Sequence, residues 1–125
     1  MTYLDTHCAI WLRRGDISFF GKRARQIIET DDELYISPVV LLEIEMLHER
    51  KRLKASADQM LADLQAIVGV QVCNFPFPLI VEQALREKWT TEPGDRLITA
   101  HARVRQATLI TRDQEILQNY DLALS

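Results

Sequence analysis

Tyr35-Ile36-Ser37-Pro38-Val39-Val40-Leu41-Leu42-Glu43-Ile44 decides how this chain folds. Its first residues close a short apolar run, Glu33 to Ile36, that reads as a strand. Ser37 is a favoured N-cap and Pro38 suits a first helical turn, so the chain passes straight from strand into helix. Read as a helix from Val39 to Lys51 at about 100° per residue, the segment gives Val39, Val40, Leu42, Ile44, Met46 and Leu47 one broad apolar face. Glu43 falls near the middle of that face. Glu45 falls on roughly the opposite side and reads as an ordinary solvated residue. A carboxylate turned toward a core is costly unless it is paired or coordinates a metal. Taken alone, Glu43 fits an internal salt bridge as well as it fits a metal.

The strand-to-helix step recurs along the chain. Met1 to Leu4 reads as a strand, followed by a helix from about Thr6 to Arg13 that Gly15-Asp16 breaks. Phe20 to Thr30 is helical, with Ala24, Ile27 and Ile28 on one side. A helix from about Ala55 to Val68 is stopped by Gly69, and Val70 to Cys73 forms the next strand. Pro78 to Trp89 reads as helical, Thr90 to Gly94 as a loop and Arg96 to Gln106 as a helix. Ala107 to Thr111 is a strand, Gln114 to Asn119 a last short helix, and Leu122 to Leu124 an edge strand. Alternating strands and helices imply an α/β fold: a small parallel sheet of four to five strands, right-handed crossovers and flanking helices. With no linker, repeat or low-complexity segment, residues 1–125 read as a single domain, long enough to bury about two-thirds of its unfolded surface.

Four acids occupy the positions where such a fold gathers its chemistry, outside the carboxyl ends of the strands. Asp5 ends the opening strand, Glu43 lies in the apolar run, Asp95 follows Pro93-Gly94 and opens a helix, and Asp113 follows the strand Thr108 to Thr111. Asp5, Asp95 and Asp113 each precede a helical pattern, so capping explains each of them singly. Capping and metal binding are compatible, because a helix N-terminus favours the ionised carboxylate a metal needs. Four carboxylates meeting in one crevice would offer hard oxygen ligands to Mg²⁺ or Mn²⁺ and support metal-assisted phosphodiester hydrolysis. Thr6 and Thr111 stand ready to hydrogen-bond a phosphate or a ligand carboxylate, or simply to cap. Glu92 is a fifth acid, read as a loop residue.

Composition narrows the classes. A hydrophobic fraction of 47% is globular, and no apolar run approaches a membrane span. No signal peptide is expected before the first strand. Cys8 and Cys73 show no framework spacing, which suggests buried thiols in a reduced, cytoplasmic protein. His7, His48 and His101 make no zinc pattern. A net charge of −3 argues against a plain nucleic-acid binder, but taking four negative charges out of −3 leaves +1 once the acids hold metal. The basic stretches His48 to Lys54 and Lys22, Arg23 and Arg25 read either as solvated helix faces or as a rim for phosphate backbone.

Together the segments Tyr3 to His7, Tyr35 to Ile44, Glu92 to Ala102 and Thr108 to Asp113 closely resemble the PIN-domain ribonucleases, in particular the VapC-type toxins of toxin–antitoxin pairs. The likeness spans nearly the whole chain, although Ala55 to Trp89 carries only the element order. Asp5, Glu43, Asp95 and Asp113 match the family's four acids. Gly94 stands where many members carry Phe, and Glu92 where many carry another Asp; the four acids themselves are unaffected. The resemblance implies a metal-dependent endoribonuclease holding one or two Mg²⁺ or Mn²⁺ ions and hydrolysing RNA with a metal-activated water. Asp5 and Asp95 would be direct ligands and Asp113 would act through water. Glu43 would ligate directly or through water, or orient the nucleophile. It also implies a homodimer and a small antitoxin whose tail lies in the groove, with Arg96 and Arg112 as contacts for that tail or for RNA phosphate.

Other classes fit less well. A phosphatase of the haloacid dehalogenase type wants a second Asp at the position of His7, and a receiver domain wants a Lys where Arg112 stands. A housekeeping PIN-domain RNA-processing nuclease shares the same chemistry, and a catalytically silent PIN scaffold shares the fold; both stay open at this point.

Overall fold

Thr2-Tyr3-Leu4 forms the central strand, β1 (Thr2–Leu4), and all three residues are buried. A strand covered on both faces belongs in the interior of a parallel sheet. The computed structural model describes all residues, 1–125. It places β1 between β2 (Leu34–Ile36) and β4 (Thr108–Ile110), with β3 (Gln71–Val72) beyond β2 and β5 (Ala123–Leu124) beyond β4. The order is β3-β2-β1-β4-β5 and every pairing is parallel. Thr2, Tyr3 and Leu4 stand opposite Leu34, Tyr35 and Ile36 on one side, and opposite Thr108, Leu109 and Ile110 on the other. The chain therefore builds outward from β1 through β2 and β3, then returns to the other side of β1. The topological switch point lies between β1 and β4, where an open α/β sheet leaves a crevice at its carboxyl end.

Seven helices flank the sheet: α1 (Thr6–Arg14), α2 (Lys22–Thr30), α3 (Pro38–Glu49), α4 (Ala57–Val68), α5 (Phe77–Ala84), α6 (Pro93–Val104) and α7 (Gln114–Asn119). The starts follow local chemistry. Ser37 accepts from the Val39 N–H with Pro38 behind it, and Ser56 forms a reciprocal capping box with Gln59. α1 stops at Gly15, whose φ of 78° is the left-handed region that glycine enters freely. A 3₁₀ turn at Ile17–Phe19 follows, which the periodicity did not predict. The main core is one cluster of 24 buried apolar residues that includes Tyr3, Leu4, Ile36, Val40, Ile44, Leu109 and Ile110. Cys8 and Cys73 are both buried and unpaired.

Two sequence expectations need correction. The apolar face of α3 is a narrow stripe. Val40 and Ile44 are fully buried, whereas Leu42 is 58% and Met46 39% exposed. Leu42 and Met46 stand about 200° round the axis from the buried pair, beyond the reach of α1, α4 and α6, which pack on α3. Glu43 consequently sits at the edge of the stripe rather than at its centre. Glu45 is not merely solvated: Oε1 accepts the Ala57 N–H at 2.9 Å, satisfying a free donor at the start of α4.

The second correction concerns the chain from Pro78 to Gly94. α5 ends at Ala84 instead of running to Trp89, because Glu87 turns inward and is only 2% exposed. Its carboxylate accepts from Gln83 Nε2 at 2.8 Å, Trp89 Nε1 at 2.9 Å, and Arg103 Nε and Nη2 at 2.8 and 3.1 Å. Burial alone would raise this carboxyl, but the donors hold it below the usual range. α6 then begins at Pro93, where the missing N–H costs nothing, so Gly94 and Asp95 lie inside its first turn.

Candidate active site

The carboxyl end of β1 delivers Asp5, whose backbone N–H donates to Ile110 O across the switch point at 3.2 Å. Asp5 caps α1: Oδ1 accepts the Cys8 N–H at 2.9 Å. Oδ2 accepts from the hydroxyl of Thr111, a fully buried residue just past β4. The same Thr111 oxygen accepts the Asp113 N–H at 3.0 Å, and Asp113 Oδ1 in turn caps α7 through the Ile116 N–H at 3.1 Å. The capping roles of Asp5 and Asp113 are thus real, and each leaves its carboxylate at the crevice. Asp95 is different. It lies in the first turn of α6 and is not its cap.

From the other side α3 presents Glu43, half-buried, with Oε1 accepting from Thr6 Oγ1 at 2.9 Å. Gly94 packs closely against that carboxylate: a Cβ there would stand 3.1 Å from the Glu43 carboxyl atoms, and the side chain would have to give by a few tenths of an ångström. Asp5, Glu43, Asp95 and Asp113 line one cavity of about 360 Å³, together with Thr6, His7, Trp11, Ile98 and Arg112.

No ion pair neutralises the acids of this cavity, although Arg112 stands on its wall. None of the four acids enters any of the chain's four ion pairs. Burial pushes Asp95 up to about 6, and Asp113, Glu43, Glu92 and Asp5 add their repulsion. Burial also raises Glu43, against the Thr6 hydrogen bond and the nearby His7, while Asp5 and Glu92 push the same way as burial. No three acids converge into a ready-made metal cage. All-oxygen donors, surplus negative charge and a cavity wide enough for hydrated ions fit a hard divalent cation.

The remaining sequence candidates divide. Thr6 is buried and Thr111 fully so; their hydroxyls orient the Glu43 and Asp5 carboxylates. Arg112 lines the cavity and is exposed, with Nη1 donating to Phe19 O. Arg96 does not line it; its Nε is braced on Thr90 O at 2.7 Å. Neither basic stretch lines the cavity either: Lys51, Arg52 and Lys54 gather with Arg13 and Arg14 around a separate one. Sequence reasoning missed His7, Trp11 and Ile98. The i, i+4 spacing of His7 and Trp11 on α1, directly after Asp5, was the available signal.

Comparison with known proteins identifies the family and agrees with the fold. The family model for the PIN domain matches residues 2–122. Ribonuclease VapC22 of Mycobacterium tuberculosis is 29% identical over 118 residues, covering 90% of this chain and 87% of that protein. Among solved structures, VapBC2 from Rickettsia felis, bound to a DNA fragment from its promoter, superposes with a TM-score of 0.68 at 18% identity, over 100% of this chain and 98% of that one. A toxin–antitoxin complex from Klebsiella pneumoniae gives 0.64 at 19% identity, over 100% and 97%. At these identities the two structures speak to the fold.

Proposed function

Because the chain belongs to the PIN-domain family, we propose that it is a VapC-type endoribonuclease, the toxin of a toxin–antitoxin pair, and that Asp5, Glu43, Asp95 and Asp113 are its catalytic, metal-holding acids. The observation that carries the reading is the meeting of four carboxylates from four elements in one cavity, none of them held in an ion pair. The likeness to ribonuclease VapC22, to the toxin–antitoxin complex from Klebsiella pneumoniae and to VapBC2 supports it.

One or two Mg²⁺ or Mn²⁺ ions held by these acids would supply Lewis-acid stabilisation of the phosphodiester and activate water for attack. The chain's own residues prepare the ground. Thr111 and the Cys8 N–H fix both oxygens of Asp5. Thr6 fixes Oε1 of Glu43 and leaves Oε2 without a protein donor, placed to orient a water. Asp113 is held by its own helix and by Thr111. Arg112 stands at the cavity as the residue to meet a phosphate.

The partners follow from the same reading: RNA as substrate, and an antitoxin whose tail occupies the cavity when the enzyme is held silent, with the toxin as a homodimer. No helix is long and apolar enough to cross a membrane, which agrees with work in the cytoplasm, where the RNA is. The test is cleavage of total RNA by the purified chain, with cut sites mapped. Cleavage should vanish in excess EDTA and return with Mn²⁺. Undiminished cutting in chelator overturns the mechanism.

A further inference from the structure

The wall of the acidic cavity formed by α1 is aromatic. His7 and Trp11 both line it, and their rings lie 6.0 Å apart with a 44° tilt. The left-handed turn at Gly15 folds the chain back, so that Phe19 stacks on Trp11 with centroids 4.6 Å apart and planes 16° from parallel. Phe20 meets the same indole edge-on at 6.4 Å, from within the core, and anchors it. His7 is exposed on the cavity wall, and Phe19, 42% exposed, reaches the cavity through its stack on Trp11. The Phe19 carbonyl accepts from Arg112, so the cavity's guanidinium is tied to this row.

On the ribonuclease reading, we propose that His7, Trp11 and Phe19 form a stacking platform for a nucleobase flanking the scissile phosphate. Single-stranded RNA is gripped by the combination present here: aromatic faces for unstacked bases and a cation for the adjacent phosphate. Every base has a π-face that can stack on an aromatic ring, so the platform fixes where the strand lies more than which letter it carries. Trp11 is packed between neighbours and is the platform's rigid part. His7, at the exposed end of the row, is the residue that meets the base and is replaceable without disturbing the core.

The experiment uses the full chain in saturating Mn²⁺ and a single-stranded RNA oligonucleotide carrying one mapped cut site. Each nucleotide flanking the cut is made abasic in turn, and wild type, His7→Ala and His7→Phe are compared. At one flanking position the abasic change should raise KM about tenfold or more, the scale of one lost base–aromatic stack, with little change in kcat. His7→Ala should raise KM similarly on intact RNA and add nothing on that abasic RNA, while His7→Phe restores the wild-type value. Two results overturn the platform: His7→Ala cutting intact RNA like wild type, or its loss multiplying with the abasic loss at every position. The first of these, accompanied by weaker capture of a peptide partner, would assign the row to protein contact. A wild type that cuts no RNA at all removes the ribonuclease reading itself and the platform with it.

Discussion

The Thr111 hydroxyl donates to Asp5 Oδ2 and accepts the Asp113 N–H at 3.0 Å, so one buried side chain holds two cavity acids across the switch point between β1 and β4. Thr111→Val keeps the volume and removes both hydrogen bonds. It should cost about 1–3 kcal/mol of stability, because Asp5 keeps a desolvated oxygen without a donor, and lower cleavage about tenfold or more. Thr111→Ser should retain most of both. Denaturant unfolding alongside RNA cleavage reads the two effects; equal behaviour of Val and Ser variants would remove Thr111 from the site.

Asp95 makes the metal-free fold pH-sensitive. Its carboxyl is raised from 3.8 to about 6 by burial and by four neighbouring acids. Between these values the folded chain binds more protons than the unfolded one, so this group's contribution to stability is present at low pH and is lost as pH rises through about 6. Asp95→Asn should flatten that slope and raise the stability of the metal-free chain at pH 7 by roughly 1 kcal/mol, allowing for partial solvent screening. The same change should abolish cleavage. Thermal melts in EDTA from pH 4 to 8 check the sign, and a wild-type slope identical to the variant's would contradict it.

Glu43 and Glu45 lie two residues apart with separate duties. Glu43→Gln should abolish cleavage and leave the metal-free fold as stable or more so. Glu45→Gln keeps an oxygen for the Ala57 N–H and should cut RNA nearly normally; Glu45→Ala should lose about 1 kcal/mol of stability with cleavage largely retained. Loss of activity in Glu45→Gln equal to that in Glu43→Gln would mean that the cavity depends on both.

Asp5, Asp95 and Asp113 were legible because strand-end and helix-start positions are set by short-range signals: an apolar run, a capping residue, a Pro-Gly pair. The sheet and its alternating helices followed from the same punctuation. Three things were not legible, each decided by distant contacts. Glu87 looks like any charged residue of a helical run until Arg103, Trp89 and Gln83 surround it and end α5 at Ala84. Leu42 and Met46 count as core by hydropathy, but packing covers only one side of α3. The aromatic row at the cavity depends on the direction the chain takes after Gly15, which no periodicity encodes.

Expression in a cell tests the toxin assignment. The wild-type chain alone should slow growth, co-expression with a cognate antitoxin should restore it, and Asp5→Asn should be harmless. A chain that is harmless alone yet cuts RNA after purification would be an RNA-processing nuclease instead.

Asp5, Glu43, Asp95 and Asp113 are proposed to hold a divalent cation together. Titrating Mn²⁺ into the metal-free chain by calorimetry, with the melting temperature followed in parallel, tests it without requiring a substrate. The account predicts saturable binding and a rise in Tm that grows with Mn²⁺ concentration, since the ion binds only the folded state, with both effects lost in Asp5→Asn and Asp95→Asn. No binding by the wild type, or equal binding by the Asp95→Asn variant, would contradict it.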